Sequence, residues 1–593
     1  MELGSVSHRC AFTDCYAKNN DQVVITIRTG KDITAVDIIH GDPYAGGCMG
    51  MKPWNGEPAA MTMVRELKYN YVWSVTVTPP FKREQYYFSL TDGEETVLLF
   101  EDGFYTPEEA EKPGRMRQYF KFPWLNPADV ITVPDWVNET VWYQIMPDRF
   151  CKAGSHPRRV PLRKWSSDRN LHFWDTYGGD LKGITSRLPY LQKLGITGIY
   201  MTPIFLSGSN HKYNTYSYDQ IDPDFGTEED LVELVDTAHS LGIRVMLDAV
   251  FNHCGTEFEP WKDVVKNGPQ SPYWDWFFVN QWPLPVLNKL NWKTEDGRYY
   301  SFAFGAMMPK LNTNNPEVTA YFLEKCTHWV RDWHIDGIRF DVGNEISHKF
   351  LKALNRGLKA LNPNVFLLGE IWHDSAQWLQ GDEYDSVMNY PFMESLHNFW
   401  LDGLSSRELM YAMNHCYSMY PEQVNDGIFN FLDTHDTMRA VTRCGGKDPF
   451  YQQLAVLMTM PGSACVYYGT EIALEGGDDP ECRRPMPWDK IDAGVYDKAI
   501  AEAAALIALR KAYPEARTGT VLWRHRDDSP RLVCYGRQIP GSTRVLAVYL
   551  NAGESGVKLP KRGELLYSRK YRGITLQPGG IAIFAMEEAQ WNS

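Results

Sequence analysis

Several apolar runs in the sequence end on groups that can hold charge or move a proton. They are "LDAVFNH", which closes on Asp248, Asn252 and His253; "GIRFDV", which carries Arg339 and Asp341; "LLGEIW", with Glu370; and "FLDTHD", with His435 and Asp436. Alternation with a period of two places Arg339 and Asp341 on one side of their strand, so a guanidinium stands beside a carboxylate and is expected to keep it ionised. Several acids meeting at one place repel one another unless their protonation states are separated, and that separation assigns nucleophile, acid and base. Cleavage of a glycosidic bond uses such a division, with one carboxylate attacking carbon while a protonated carboxyl donates to the leaving oxygen. Any one of these residues alone reads as a cap or an ion-pair partner. Acids ending three separate runs, with two histidines and an arginine nearby, read as a site.

The elements needed to bring them together are legible in the central part of the chain. "VWYQIMPDRF", "TGIYMTPI", "IRVMLDAVF", "IDGIRFDV", "VFLLGEIW", "DSVMNYPF", "IFNFLDTHD" and "SACVYYG" are short apolar runs separated by helical patterns. Continuous apolar character suits strands covered on both faces. Between Glu228 and Gly242, Leu231, Leu234, Val235, Ala238 and Leu241 fall on one helical face, and the glycine ends it. Eight such units predict an α/β fold, a closed (β/α)8 barrel, with a doubly wound open sheet as the alternative. In a barrel, chemistry gathers at the carboxyl ends of the strands, where these acids lie.

The barrel is expected over residues 131–510. An aromatic-rich stretch at 253–313, far longer than a βα loop needs, reads as an inserted subdomain. It holds Trp261, Tyr273, Trp274, Trp276, Phe277, Phe278, Trp282, Trp292, Tyr299 and Tyr300, most expected in a small core of its own and some along a groove. Alternating runs such as "QVVITIRTG" and "YVWSVTVTPP" predict an N-terminal β-sandwich over 1–130, and "RLVCYGRQI" and "TRVLAVYLN" a C-terminal all-β domain over 511–593.

A formal charge of −14 without a Lys/Arg block argues against nucleic acid as partner. No stretch is apolar enough to span a bilayer, and the first twenty residues lack the basic and apolar regions of a signal peptide, so a cytoplasmic protein without a membrane partner is expected. Eleven cysteines without paired C-x-x-C spacing read as core residues and free thiols.

"DAVFNH", "GIRFDVGNEISH", "GEIW" and "FLDTHD" resemble the four ordered signature regions of the α-amylase family of glycoside hydrolases. "MPKLN" at 308–312 and "GGDDPECRRPMPWD" at 476–489 are similar to segments of its neopullulanase, cyclomaltodextrinase and maltogenic-amylase branch. The resemblance implies a retaining hydrolase of α-1,4-glucosidic bonds in cyclodextrins, maltooligosaccharides, pullulan or starch, with transglycosylation accompanying it. An α-1,6 or oligo-glucosidase specificity, or a noncatalytic glucan-binding role, is the alternative. It further implies Asp341 as nucleophile, Glu370 as general acid/base and Asp436 as the carboxylate that steadies the distorted sugar. Arg339 would orient the nucleophile, His253 and His435 would contact the sugar being cleaved, and Tyr213 would stack beneath it. Asn344, Glu345 and His348 would shape acceptor binding, Trp372 would face the leaving group, and Asp479 and Arg483 would close the non-reducing side. Asp248 and Asn252 read as supports.

Relatives in this branch often hold calcium in an Asn/Asp-rich loop after "RF", where this chain has "RFCKAGSHPRRV". Calcium takes six or more oxygens, and this loop offers few. "GGD" at 178–180 remains, so Asp180 is the metal-ligand candidate and no cofactor is expected to be required. Relatives with the amino-terminal β-domain commonly dimerise, which implies a homodimer; a monomer whose first domain binds starch is the alternative.

Overall fold

The computed structural model describes residues 1–45, 54–112, 117–154, 158–167, 171–288, 290–560 and 562–592. These form two compact units: Met1–Thr132 with Leu379–Gly381 and Arg407–Asn425, and the remainder.

The second unit is built on eight parallel strands: β1 (Val141–Ile145), β2 (Gly198–Met201), β3 (Arg244–Ala249), β4 (Gly337–Phe340), β5 (Phe366–Gly369), β6 (Ser386–Val387), β7 (Phe429–Phe431) and β8 (Ser463–Tyr467). They pair in chain order from β1 to β6, β8 pairs with both β1 and β7, and a parallel bridge from Met388 to Phe429 joins the two ends. That bridge closes the barrel and removes the open-sheet alternative. β1, β2, β4, β5 and β8 are buried at every residue, which is why they read as unbroken apolar runs. Trp142, Tyr200, Met246, Phe366, Leu368, Phe429 and Phe431 pack together as an apolar core. Burying each stabilises the fold by about 1.5–3 kcal/mol before conformational entropy is charged against it.

Helices alternate with the strands as the pattern requires. The one over Glu228–Ser240 starts from a capping box between Thr227 and Asp230 and buries Leu231, Leu234, Val235 and Ala238. Leu241 is its C-cap rather than a core residue, and Gly242 leaves at φ +72°, a conformation that favours glycine. The insertion between β3 and the helix Pro316–Asp332 contains a helix at Glu259–Asn267 and isolated antiparallel bridges, including His253 to Lys310. Trp261, Trp276, Phe277 and Tyr299 are buried within it, whereas Trp282, Trp292 and Tyr300 stay exposed. Six antiparallel strands from Thr520–Arg524 to Thr575–Glu587 complete this unit, and Gln452 of the helix Lys447–Thr459 donates to the carbonyls of Asn551 and Gly580.

The first unit contains two antiparallel sheets of four and six strands. Ile25, Ile27, Val36, Ile38, Trp73, Tyr86 and Phe88 fill the core, so the alternation in "QVVITIRTG" marks an inward row, as in a sandwich.

Candidate active site

Strand register brings the acids to one guanidinium. Asp248 on β3 lies directly beside Arg339 on β4, and Asp341 and Glu370 are the next groups along after β4 and β5, held by N–H bonds to Ala249 and Phe340. Arg339 is fully buried. Its Nη1 donates to Asp248 at 2.9 Å and to Asp341 Oδ1 at 2.9 Å, and its Nη2 pairs with Glu370 Oε2 at 2.8 Å. Because the guanidinium is a rigid planar fork, Asp341 and Glu370 lie within about 8 Å of each other.

One cation is shared among three acids, so its pull on Asp341 is opposed. Burial pushes its carboxyl well above the usual range against the pull of Arg339, and Glu370, Asp248 and Asp436 add to the upward push. Asp248 is likewise raised by burial against Arg339. It also accepts from the hydroxyls of Tyr200 and Tyr213, at 2.7 and 2.8 Å, so it supports the cluster from behind.

Asp436 has the opposite environment. Burial alone would raise its carboxyl, but His435 at 3.0 Å and Arg483 at 3.0 Å hold it well below the usual range. Arg483 also pairs with Asp479 at 3.1 Å and donates from Nε to the His435 carbonyl at 2.8 Å. The Gln144 amide donates to His435 Nδ1 at 2.8 Å, which leaves Nε2–H for the Tyr213 hydroxyl at 2.7 Å and for Asp436. The rings of Tyr213 and His435 stack at 5.3 Å and 4°.

The other wall begins immediately after the nucleophile candidate. Val342 sits at φ +48°, ψ +46°, a strained conformation for a β-branched residue, and its N–H donates to Glu370 Oε2 at 2.9 Å. A side chain on Gly343 would come within 2.9 Å of the Tyr384 hydroxyl and 3.1 Å of the Glu370 carbonyl, so glycine is needed there for close approach. Glu370 Oε1 accepts from the Trp372 indole at 3.2 Å, and Trp372 stacks on Tyr390 at 3.9 Å. Lys310 of "MPKLN" donates to Asn252 Oδ1 and to Glu345 Oε2, the latter at 3.1 Å, joining the insertion to the loop after β4.

His253 is held flat against Phe302, 4.9 Å between ring centroids. Asn252 donates to its Nδ1 at 3.3 Å, and its Nε2 has no hydrogen-bond partner among the described residues. His253 itself is almost wholly buried. Burial lowers the His253 and His211 imidazoles to about 3, so both are neutral near pH 7 and act as hydrogen-bonding groups rather than cations.

A cavity of about 690 Å³ is lined by Asp341, Glu370 and Asp436 together with Tyr213, His253, Asn344, Glu345, Trp372 and Arg483. Arg339 and His435 lie behind this surface, and Asp479 reaches it through Arg483. His348 is not among the lining residues: it starts the helix His348–Leu361, pairs with Glu383 at 2.8 Å and stacks on Trp378. Asp180 does not join the cluster either. It caps the helix Leu181–Leu194 by accepting from the Gly183 N–H at 2.7 Å, and it pairs with Arg158 at 2.9 Å. Of the loop after "RF", residues 155–157 lie outside the described residues; around Asp180 the donors are N–H groups and a guanidinium, which do not fit a bound cation.

The cavity also takes in residues that the sequence patterns do not flag: Phe173, Trp174, His211 and Phe302. His211 lies two positions before Tyr213, a usable signal; the others lie in stretches without periodicity. With Trp174 at 68%, Trp292 at 54% and Trp372 at 51% exposed, indole faces lining the cavity are open to a ligand.

Residues 144–518 match the family description "Alpha amylase, catalytic domain", and residues 1–126 match "Alpha amylase, N-terminal ig-like domain". The chain is 39% identical to a cyclomaltodextrinase of Geobacillus thermopakistaniensis, over 99% of this chain and 100% of that one. It is 39% identical to an intracellular maltogenic amylase of Bacillus subtilis, over 93% and 92% respectively. A solved cyclomaltodextrinase structure superposes with a TM-score of 0.87 at 36% identity, covering 99% of this chain and 98% of that one. With a barrel closed by eight parallel strands, three acids facing one cavity at its strand ends, and these similarities over nearly its whole length, the chain belongs to the α-amylase family of glycoside hydrolases.

Proposed function

We propose that the protein hydrolyses α-1,4-glucosidic bonds with retention, acting on cyclodextrins, maltooligosaccharides and pullulan or starch. The observation that carries this reading is that Asp341, Glu370 and Asp436 face one cavity, the first two paired to opposite nitrogens of one guanidinium. Asp341 attacks the anomeric carbon while Glu370 donates a proton to the departing oxygen. Glu370 then takes a proton from the water, or acceptor sugar, that releases the glycosyl group. Asp341 carries a charge that its surroundings disfavour, and forming the glycosyl ester removes that charge. Asp436, held ionised by His435 and Arg483, stabilises positive character on the ring. Tyr213 offers a stacking face, and His253 lines the same cavity as a neutral polar group.

The substrate range is supported by the printed name of the cyclomaltodextrinase and by the "MPKLN" resemblance. The name of the intracellular maltogenic amylase supports action inside the cell. The homodimer is supported by the family resemblance and by the first unit itself, where the edge strand Thr62–Glu66 leaves Met63 and Val64 exposed.

The test is incubation with β-cyclodextrin, pullulan and starch, with identification of the products. Release of maltose and glucose from β-cyclodextrin and starch, and of panose from pullulan, is expected. Maltotriose from pullulan would instead assign α-1,6 cleavage, and no sugar from any of them would overturn the enzymatic reading.

A further inference from the structure

The loop after "RF" and the loop after β2 are held together by charges that the catalytic reading does not use. Arg158 Nη2 donates to the Gly178 carbonyl and to Asp180 Oδ2, both at 2.9 Å, and its Nη1 donates to the Asp224 carbonyl. Asp180 is fully buried, and its remaining acceptor capacity is taken by the N–H groups of Ala153, Gly154 and Gly183. Next to it, Arg159 binds Asp222 at 2.5 Å and Asp224 at 2.8 Å, and Lys212 binds Asp222 at 2.8 Å. Three cations thus face three buried or nearly buried carboxylates. The cluster ties the segment bearing Phe173 to the segment bearing His211 and Tyr213, all three of which line the cavity.

We propose that Arg158 is a built-in cation: its guanidinium occupies the oxygen cradle formed by Gly178, Asp180 and Asp224 and itself joins these loops, leaving no place for a divalent metal. Calcium requires six or more oxygens at 2.3–2.6 Å. Here the two carbonyls and the carboxylate already accept from one planar fork, and a second cation at contact distance would be repelled by it. The planar fork also accounts for the use of arginine, because its spread donors reach three oxygens on two segments at once, where a lysine ammonium is a compact point charge. Loop order in this protein therefore does not depend on divalent metal, and neither does the wall that carries Tyr213.

The experiment is thermal melting of the full-length protein after exhaustive chelation, repeated with millimolar calcium, for the wild type, Arg158→Ala and Arg158→Lys. The wild-type melting temperature is expected to move by less than about 1 °C between chelator and calcium. Arg158→Ala is expected to melt lower by roughly 3–6 °C, because a buried carboxylate loses its partner, with Arg158→Lys falling between the two. A wild-type midpoint that rises by several degrees with calcium would overturn the proposal, as would an Arg158→Ala midpoint equal to the wild type. Should Arg158→Ala fail to fold, the wild-type calcium response and the Arg158→Lys midpoint decide it.

Discussion

At the scale of single residues, the site depends on dividing one positive charge among several negative ones. Asp341→Asn and Glu370→Gln keep shape while removing charge or acidity, so each is expected to lower kcat by about 10⁴-fold or more with the circular dichroism spectrum unchanged. Near-wild-type turnover in either would mean the roles lie elsewhere. Arg339→Lys keeps the charge but loses the fork that reaches Asp248, Asp341 and Glu370 together, and a fall in kcat of about 10²-fold is expected from steady-state rates. The sign of the pH response follows from the raised Asp341 carboxyl. A nucleophile must be deprotonated, so kcat/KM should rise with pH through a midpoint above the ordinary aspartate range. His253 and His211, both lowered to about 3, should add no ionisation near 6.5, and a pH–rate profile measures both features. The sequence made Asp341, Glu370 and Asp436 visible because each closes a run that starts as an apolar strand. It did not reveal that one guanidinium serves three acids, since Asp248 and Glu370 come to Arg339 only through the register of neighbouring strands.

At the scale of elements, a short strand followed at once by a tight turn gives "GIRFDVGNEISH" its density. β4 presents Arg339, Asp341 follows it directly, and the left-handed Val342 then turns the chain so that its N–H reaches Glu370. Val342→Gly should relieve about 1 kcal/mol or more of backbone strain. It should also loosen the amide beside Glu370, so kcat is expected to fall while the melting temperature does not. The insertion contributes Phe302 behind His253 and the exposed Trp292 to the cavity. Trp292→Ala is expected to raise KM for maltooligosaccharides roughly 3- to 10-fold with kcat little changed, as loss of a stacking face would. The eight strands and the insertion were legible from apolar runs and from an overlong interval. Phe173 and Trp174 were not, because a loop's path is set by contacts such as Asn210 to the carbonyls of Phe173 and Asp175, which leave no periodic trace.

At the scale of the whole molecule, the two units carry different parts of the account. The first unit carries the exposed edge strand on which the proposed homodimer rests; for that proposal sedimentation velocity should give twice the 68.2 kDa of one chain, and a 68.2 kDa species would assign a monomer. The sandwich was legible from strand alternation. The grouping of residues 379–381 and 407–425 with it was not, because contacts between distant segments are absent from any local pattern. The claim on which everything else rests is that Asp341 forms a covalent bond to the sugar, and mass spectrometry of the intact chain tests it most directly. After reaction with a slow-turnover fluorinated α-glucosyl fluoride, the chain should gain one glycosyl mass, mapped by proteolysis to the peptide containing Asp341. Attachment at Glu370 or Asp436 would contradict the account, as would turnover of the reagent that yields a product of inverted configuration.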